Sequence, residues 1–175
     1  MKTFVKAPGE DPRCALMDAA FGFLSLITIL SGVAQAATAE SPFTALPGSW
    51  AGTGTIALSS GAKERIRCQA TYRLDNAVNL RLEMSCTSDS FRFELRSHIT
   101  YEDQTISGPW NETTRGVGGK LTGRATDTHI QARAEGQTFT ALLDMTTRGN
   151  RQQVSIQSPG SEMSGVTIVL TRGAR

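Results

Sequence analysis

The sequence predicts an all-β fold, an antiparallel up-and-down meander of 8–10 strands closed as a barrel, and three observations carry that expectation. Apolar and polar residues alternate with a period of two in segment after segment, which marks strands with one dry face. Turn-forming residues recur every ten or so positions through the second half, the spacing of short strands joined in sequence. No window places apolar residues at the spacing of an amphipathic helix of ordinary length. Closure follows from the edges, because a long open sheet leaves two rows of backbone groups unpaired and a barrel leaves none.

Composition bounds what such a chain can be. It has 175 residues, 39% of them hydrophobic, and a net charge of +2, which fits one globular core and neither a disordered chain nor a nucleic-acid binder. Residues 19–33 (AAFGFLSLITILSGV) are apolar and uncharged but shorter than the ~20 residues that a membrane-spanning helix needs. Ala34-Gln35-Ala36 follows, a small-residue cleavage pattern. Residues 1–36 therefore read as a secretory signal peptide, with translation starting at Met1 or Met17 and Ala37-Thr38-Ala39 as a second cleavage pattern; the alternative is a retained membrane anchor. Residues 37–47 read as an irregular lead-in and residues 48–175 as a single barrel domain. The mature protein is expected to be periplasmic or secreted, without a membrane span.

From Trp50, the positions Gly52, Gly54, Ile56 and Leu58 share one face and make a first strand with a glycine-rich inner surface, suited to a sheet that curls shut. The next two strands form a hairpin. Ile66, Cys68, Ala70, Tyr72 and Leu74 face one way, Val78, Leu80, Leu82, Met84 and Cys86 answer them, and Asp75-Asn76-Ala77 supplies the turn. Removal of the leader takes Cys14 away and leaves Cys68 and Cys86 as an even pair in an exported domain, which predicts a disulfide rather than a metal site or a nucleophile. Bridged cysteines must lie directly opposite, since diagonal partners are too far apart. That register sets Tyr72 against Leu82, Leu74 against Leu80 and, on the wet face, Arg73 against Arg81.

A turn at Thr87-Ser88-Asp89-Ser90 leads to a fourth strand carrying Phe91, Phe93, Leu95 and Ile99. Placing Met84 opposite Phe91 brings Glu83 to Arg92 and Arg81 to Glu94, two favourable exposed pairs. The same grammar continues. Ile106, Gly108 and Trp110 mark a fifth strand, Val117, Leu121, Gly123 and Ala125 a sixth, and Ile130, Ala132 and Ala134 a seventh. Phe139, Ala141, Leu143 and Met145 mark the eighth, Val154 and Ile156 the ninth, and Val166, Ile168 and Leu170 the tenth.

Residues able to do chemistry are scarce. His98 and His129 fall on the polar phase of their strands, and no nucleophile elbow, zinc-binding His pair or phosphate loop is present. The inward phase of the best strands carries no charge, so no titratable groups converge in a pocket. The expectation is no enzyme, no catalytic residue, no metal and no cofactor. Arg65, Arg67, Arg73, Arg81, Arg92 and Arg96 cluster on the outer face with Glu64, Glu83 and Glu94 among them, a mixed-charge solvated wall. Thr114-Arg115-Gly116, Thr147-Arg148-Gly149 and Thr171-Arg172-Gly173 each end a strand, where the glycine serves a turn.

The interior then carries the functional question. Trp50, Tyr72, Phe93, Trp110 and Phe139 supply bulk inside, while Gly52, Gly54, Ala70, Gly108, Gly123, Ala132, Ala134 and Ala141 supply little. Large side chains opposite small ones either fill a tapering core or line an apolar cavity for one small ligand. The five bulky residues are the candidate ligand-binding set. The two functions that follow are a binder of a small apolar or amphipathic ligand and a structural or protein-interaction barrel with an envelope-protein partner.

Gly48-Ser49-Trp50 at the opening of the first strand, together with the exported meander and the late Arg172, resembles the lipocalin or calycin group. The resemblance implies a lipocalin-like barrel in which Trp50 closes one end and Arg172 packs across it. It also implies the rival reading in its sharpest form, since the calycin group includes periplasmic protease-inhibitor barrels that bind through their surface. The chain as a whole is similar to small uncharacterised exported proteins of Gram-negative bacteria.

Overall fold

Each dry face needs a partner, and ten strands supply it by rolling the sheet into a tube. The structure, a computed structural model, describes residues 41–173. The expected leader, with Cys14, and residues 37–40 and 174–175 lie outside them. The strands are β1 (Gly48–Leu58), β2 (Lys63–Asn76), β3 (Asn79–Thr87), β4 (Arg92–Glu102), β5 (Thr105–Glu112), β6 (Val117–Ala125), β7 (His129–Gly136), β8 (Thr140–Arg148), β9 (Arg151–Gln157) and β10 (Met163–Arg172). Every strand pairs antiparallel with its sequence neighbours, and β10 closes on β1. The predicted all-β meander closed as a barrel is the observed fold. Turns following β2, β4, β6 and β8 lie at the end where β1 begins, here called the lower end; the others lie at the upper end.

The hairpin has the expected register. Cys68 faces Cys86, Tyr72 faces Leu82, Leu74 faces Leu80 and Arg73 faces Arg81. The cysteines are joined by a disulfide with their Cα atoms 4.1 Å apart. The like-charged pair is relieved because Arg81 Nε donates to Asp75 Oδ2 at 2.8 Å. Val78 departs from expectation: it lies in the turn and is 40% exposed, because a register shift between Leu74 and Asn76 takes it out of the strand.

The register between β3 and β4 also departs. Met84 faces Leu95, Glu83 faces Arg96 and Arg81 faces His98, a slide of four residues from the charge-matched alignment. The turn decides this. Residues 88–91 close a loop in which Ser88 N donates to Phe91 O and Phe91 N donates to Ser88 Oγ. The charge-matched register would leave no residues for a turn, and exposed ion pairs are worth too little to oppose that.

Barrel closure requires β1 and β10 to approach closely. A Cβ on Gly52 would lie 1.9 Å from Val169 O, and one on Gly54 1.9 Å from Thr167 O. Only glycine permits that approach.

The lower end is sealed. Residues 41–47 turn beneath the barrel, burying Phe43 and Leu46, and Phe43 meets the ring of Tyr101 edge-on at 6.0 Å. Trp50 Nε1 donates to Leu46 O at 2.8 Å. The guanidinium of Arg172 lies 4.6 Å from the Trp50 ring centroid, and its Nη2 donates to Ala45 O. The tryptophan–arginine contact expected from resemblance is therefore present. Above it, Tyr72 OH donates to Gln152 Oε1 at 2.9 Å and Gln152 Nε2 donates to Thr147 Oγ1 at 3.1 Å. Burial pushes the Tyr72 phenol well above its ordinary pKa, so the hydroxyl stays a donor.

Two outcomes follow. Reducing the Cys68–Cys86 bridge should lower stability by about 3 kcal/mol, the loop-closure contribution for a ring of this size, read as a melting point roughly 10 °C lower with reductant than without. Gly54→Ala should destabilise the barrel by about 1–3 kcal/mol in urea, because the methyl group must push β10 away.

Candidate functional site

In the lower half Trp50, Tyr72, Leu80, Ile106, Ala125, Ile130, Met145, Gln152 and Leu170 are buried, while Leu74, Leu82, Ile99 and Tyr101 are half-buried. In the upper half the inward-facing Met84, Phe93, Leu95, Ala134, Leu143, Ile156 and Val166 are half-buried. Ile56, Ile66, Cys68 and Cys86 are buried on the upper side of β1–β3, while the half-buried residues come from β3 (Met84), β4, β7–β9 and β10 (Val166).

The upper interior, here called the chamber, has walls of unequal side-chain size. On β6–β8 it holds Gly119 paired with Gly136, which the Phe139 ring covers, and Ala134 paired with Ala141. Across from them β3 and β4 carry Met84, Phe93 and Leu95.

Aromatic groups form the rim. Phe91 and Phe93 stack at 6.2 Å with planes 10° apart. Arg115, in the β5–β6 turn, lies over them, its guanidinium carbon 4.7 Å from the Phe93 centroid and 5.7 Å from that of Phe91. Trp110 packs against Phe139 at 5.7 Å. Trp110 is 7% exposed and its Nε1 is buried with no acceptor, an uncompensated donor in an apolar surround.

One buried carboxylate was not expected. The inward phase of β5 runs two residues past Trp110 to Glu112, which is buried. Its carboxylate accepts from the backbone N–H groups of Glu94, Thr114 and Arg115, each at 2.9 Å, and from the Thr114 hydroxyl. Burial works to raise its pKa, but the combined hydrogen bonds outweigh it and hold the carboxyl below its ordinary value. Glu112 ties β4 to the turn that carries Arg115. Three of these bonds end on Oε1 and one on Oε2, so the carboxylate acts as the brace of the turn.

The histidines lie on the outer wall. His98 is exposed, and His129 Nε2 lies 2.8 Å from Asp144 Oδ2, which also accepts from Gln131 Nε2 at 3.1 Å. The hydrogen bond from His129 is the main cause holding the Asp144 carboxyl below its usual range. Beside it a trough of about 440 Å³ runs across the outer faces of β6–β9, lined by Arg124, Arg133, Leu142 and Asp144 among others, with Leu142 46% exposed. Among the described residues no group of three His, Cys, Asp or Glu side chains is arranged to hold a metal.

The candidate residues divide between the two ends. Phe93, Trp110 and Phe139 belong to the upper chamber and its rim, with Trp110 and Phe139 in contact. Trp50 and Tyr72 meet each other edge-on at 6.3 Å in the sealed lower half, away from the chamber. Arg115 was legible only as part of a glycine turn, since nothing in a tripeptide says which ring its side chain covers.

No protein-family model and no curated protein matches the sequence. Among solved structures the chain is similar to Rv2717c from M. tuberculosis, with a TM-score of 0.61 and 14% identity over 75% of this chain and 94% of that one. It also aligns with the redesigned β-barrel mFAP1 bound to DFHBI, with a TM-score of 0.45 and 14% identity over 75% of this chain and 98% of that one. A de novo designed fluorescence-activating β-barrel aligns with a TM-score of 0.45 and 12% identity over 76% of this chain and 98% of that one. The likeness to Rv2717c is one of fold.

Glu112→Gln should cost about 1–3 kcal/mol at pH 7, since an amide NH₂ replaces an oxygen that accepts N–H groups. The native contribution is complete above the ordinary carboxyl pKa of 4.5 and is lost as pH falls through the depressed value in the folded state. The stability difference between wild type and variant, measured by urea unfolding, should therefore shrink on acidification below that window.

Proposed function

We propose that the protein is an exported, non-enzymatic binder that holds one small apolar or amphipathic ligand in the upper chamber. The observation that supports this most is the group of half-buried apolar side chains on the inner wall of the upper half, above an end closed by Phe43, Leu46, Trp50 and Arg172. Covering Met84, Phe93, Leu95, Leu143 and Ile156 with an apolar body removes surface worth about 25 cal/mol per Å². An occupant with an acceptor that reached Trp110 Nε1 would also satisfy the unpaired donor, on displacement of the groups that now cover it. Export is supported by the leader-like residues 19–36 and by the Cys68–Cys86 bridge, since such bonds persist in oxidising compartments. The absence of a free titratable group in the described chamber favours binding over catalysis.

A second reading rests on the outer trough, where the exposed Leu142 between Arg124, Arg133 and Asp144 is the kind of surface a protein partner in the envelope covers.

Binding of the neutral dye N-phenyl-1-naphthylamine separates the two. Wild type should enhance its fluorescence saturably, and Ala134→Phe, which fills the chamber, should weaken binding at least about tenfold without unfolding the barrel. Dye binding unchanged in Ala134→Phe but lost in Leu142→Glu would move the site to the outer wall. No dye binding at all would overturn the ligand reading.

A further inference from the structure

We infer that the outer face of β9, β10, β1 and β2 docks on the anionic headgroups of a membrane, held there by Lys63, Arg65, Arg67, Arg73 and Arg151. The inference is independent of what the interior holds.

Charge on the outer wall is segregated by strand. The outward phases of β1, with Thr53 and Thr55, and of β10, with Thr167 and Val169, carry no charge at all. On one side of them β2 presents Lys63, Arg65, Arg67 and Arg73, and on the other β9 presents Arg151, all exposed. The one outward acid of these four strands is Asp75 at the far end of β2, which accepts from Arg81 at 2.8 Å. Glu64, the other carboxylate of β2, lies on the inward phase and accepts from Ser88 and Ser90. Asp89 and Glu162 border the face in turns of the upper end. The remaining outward strand acids, Glu83, Glu94, Glu102, Glu135 and Asp144, stand on β3, β4, β7 and β8. None of the five cations makes an ion pair among the described residues.

The shape of the face suits a plane. Thr53 lies between Arg67 and Val169, and Thr55 between Arg65 and Thr167, so short side chains fill the middle of each row. A plane laid against a barrel meets its nearest strands and falls away from those at the flanks. Here the nearest strands carry the short residues, and the long cationic arms stand on the flanks. Outward residues two apart on a strand are roughly 7 Å from each other, so the charges are spread and do not converge on one small anion. The face also lacks the large apolar or aromatic anchor around which protein interfaces form. The exposed large hydrophobic residues, Val78 and Leu142, lie in the β2–β3 turn and on β8. Spread cations on a smooth, hydroxyl-rich ground complement a headgroup layer, to which each Lys or Arg adds about fivefold in affinity.

The test is cosedimentation of the full chain with vesicles of phosphatidylcholine alone or with about one-third phosphatidylglycerol. Any contribution of residues 19–33 is common to every variant and is read on the neutral vesicles. The anionic vesicles should bind at least about fiftyfold more tightly, a preference that falls to about twofold in high salt. Arg65→Gln/Arg67→Gln should weaken binding to them about twentyfold with an unchanged melting point. Arg96→Gln/Arg124→Gln, which removes the same charge from β4 and β6, should weaken it no more than about twofold. Equal weakening by the two pairs would make net charge the cause and overturn the inference, as would equal binding to neutral and anionic vesicles. Retention of polyglutamate through Arg65 and Arg67 without vesicle binding would assign the face to an acidic polypeptide and overturn the membrane reading.

Discussion

The pairing of β1 with β10 is the constraint on which the remaining structure depends. Without it the ten strands form a sheet with two open edges and no interior, and every apolar residue of the inner phase faces water. Gly52 and Gly54 let the two backbones come together where any side chain would hold them apart. The same two strands bring Trp50 and Arg172 opposite each other, so closure also assembles the seal at the lower end. One geometric event thus creates both the inside and its floor.

The two ends of the barrel solve the problem of buried polarity differently. At the bottom, Tyr72, Gln152 and Thr147 satisfy one another in sequence, and Trp50 finds the Leu46 carbonyl. Each member of that network has a partner, although the buried Arg172 Nε at the same end has none. At the top, Glu112 is saturated by the turn it organises, whereas Trp110 Nε1 has no acceptor and the apolar wall around it is incompletely covered.

Alternation made most of the architecture readable. The period of two placed nearly every inward residue correctly, and the disulfide pinned the first hairpin because bridged cysteines tolerate only one pairing. The β3–β4 register is set by the four residues its turn consumes, against which the exposed charges are too weak a guide. Glu112 lies two residues beyond Trp110, the last apolar position of its strand, where alternation alone gives no sign of a buried carboxylate. The division of the aromatic residues between floor and chamber could not be read at all. Height within a barrel depends on strand tilt and stagger, which are properties of closure and not of any one segment.

The position of the disulfide has a mechanical consequence. It staples β2 to β3 on the upper side where Ile56, Ile66 and the cysteines themselves are already packed shut. The opposite arc has no covalent tie: there the hairpin of β7 and β8, joined by backbone pairing and by the hydrogen bonds of His129 and Gln131 to Asp144, holds Phe139 against Trp110. The covalent bond makes one half of the lip a fixed jamb, and the door, if a guest is to pass, hangs on the other.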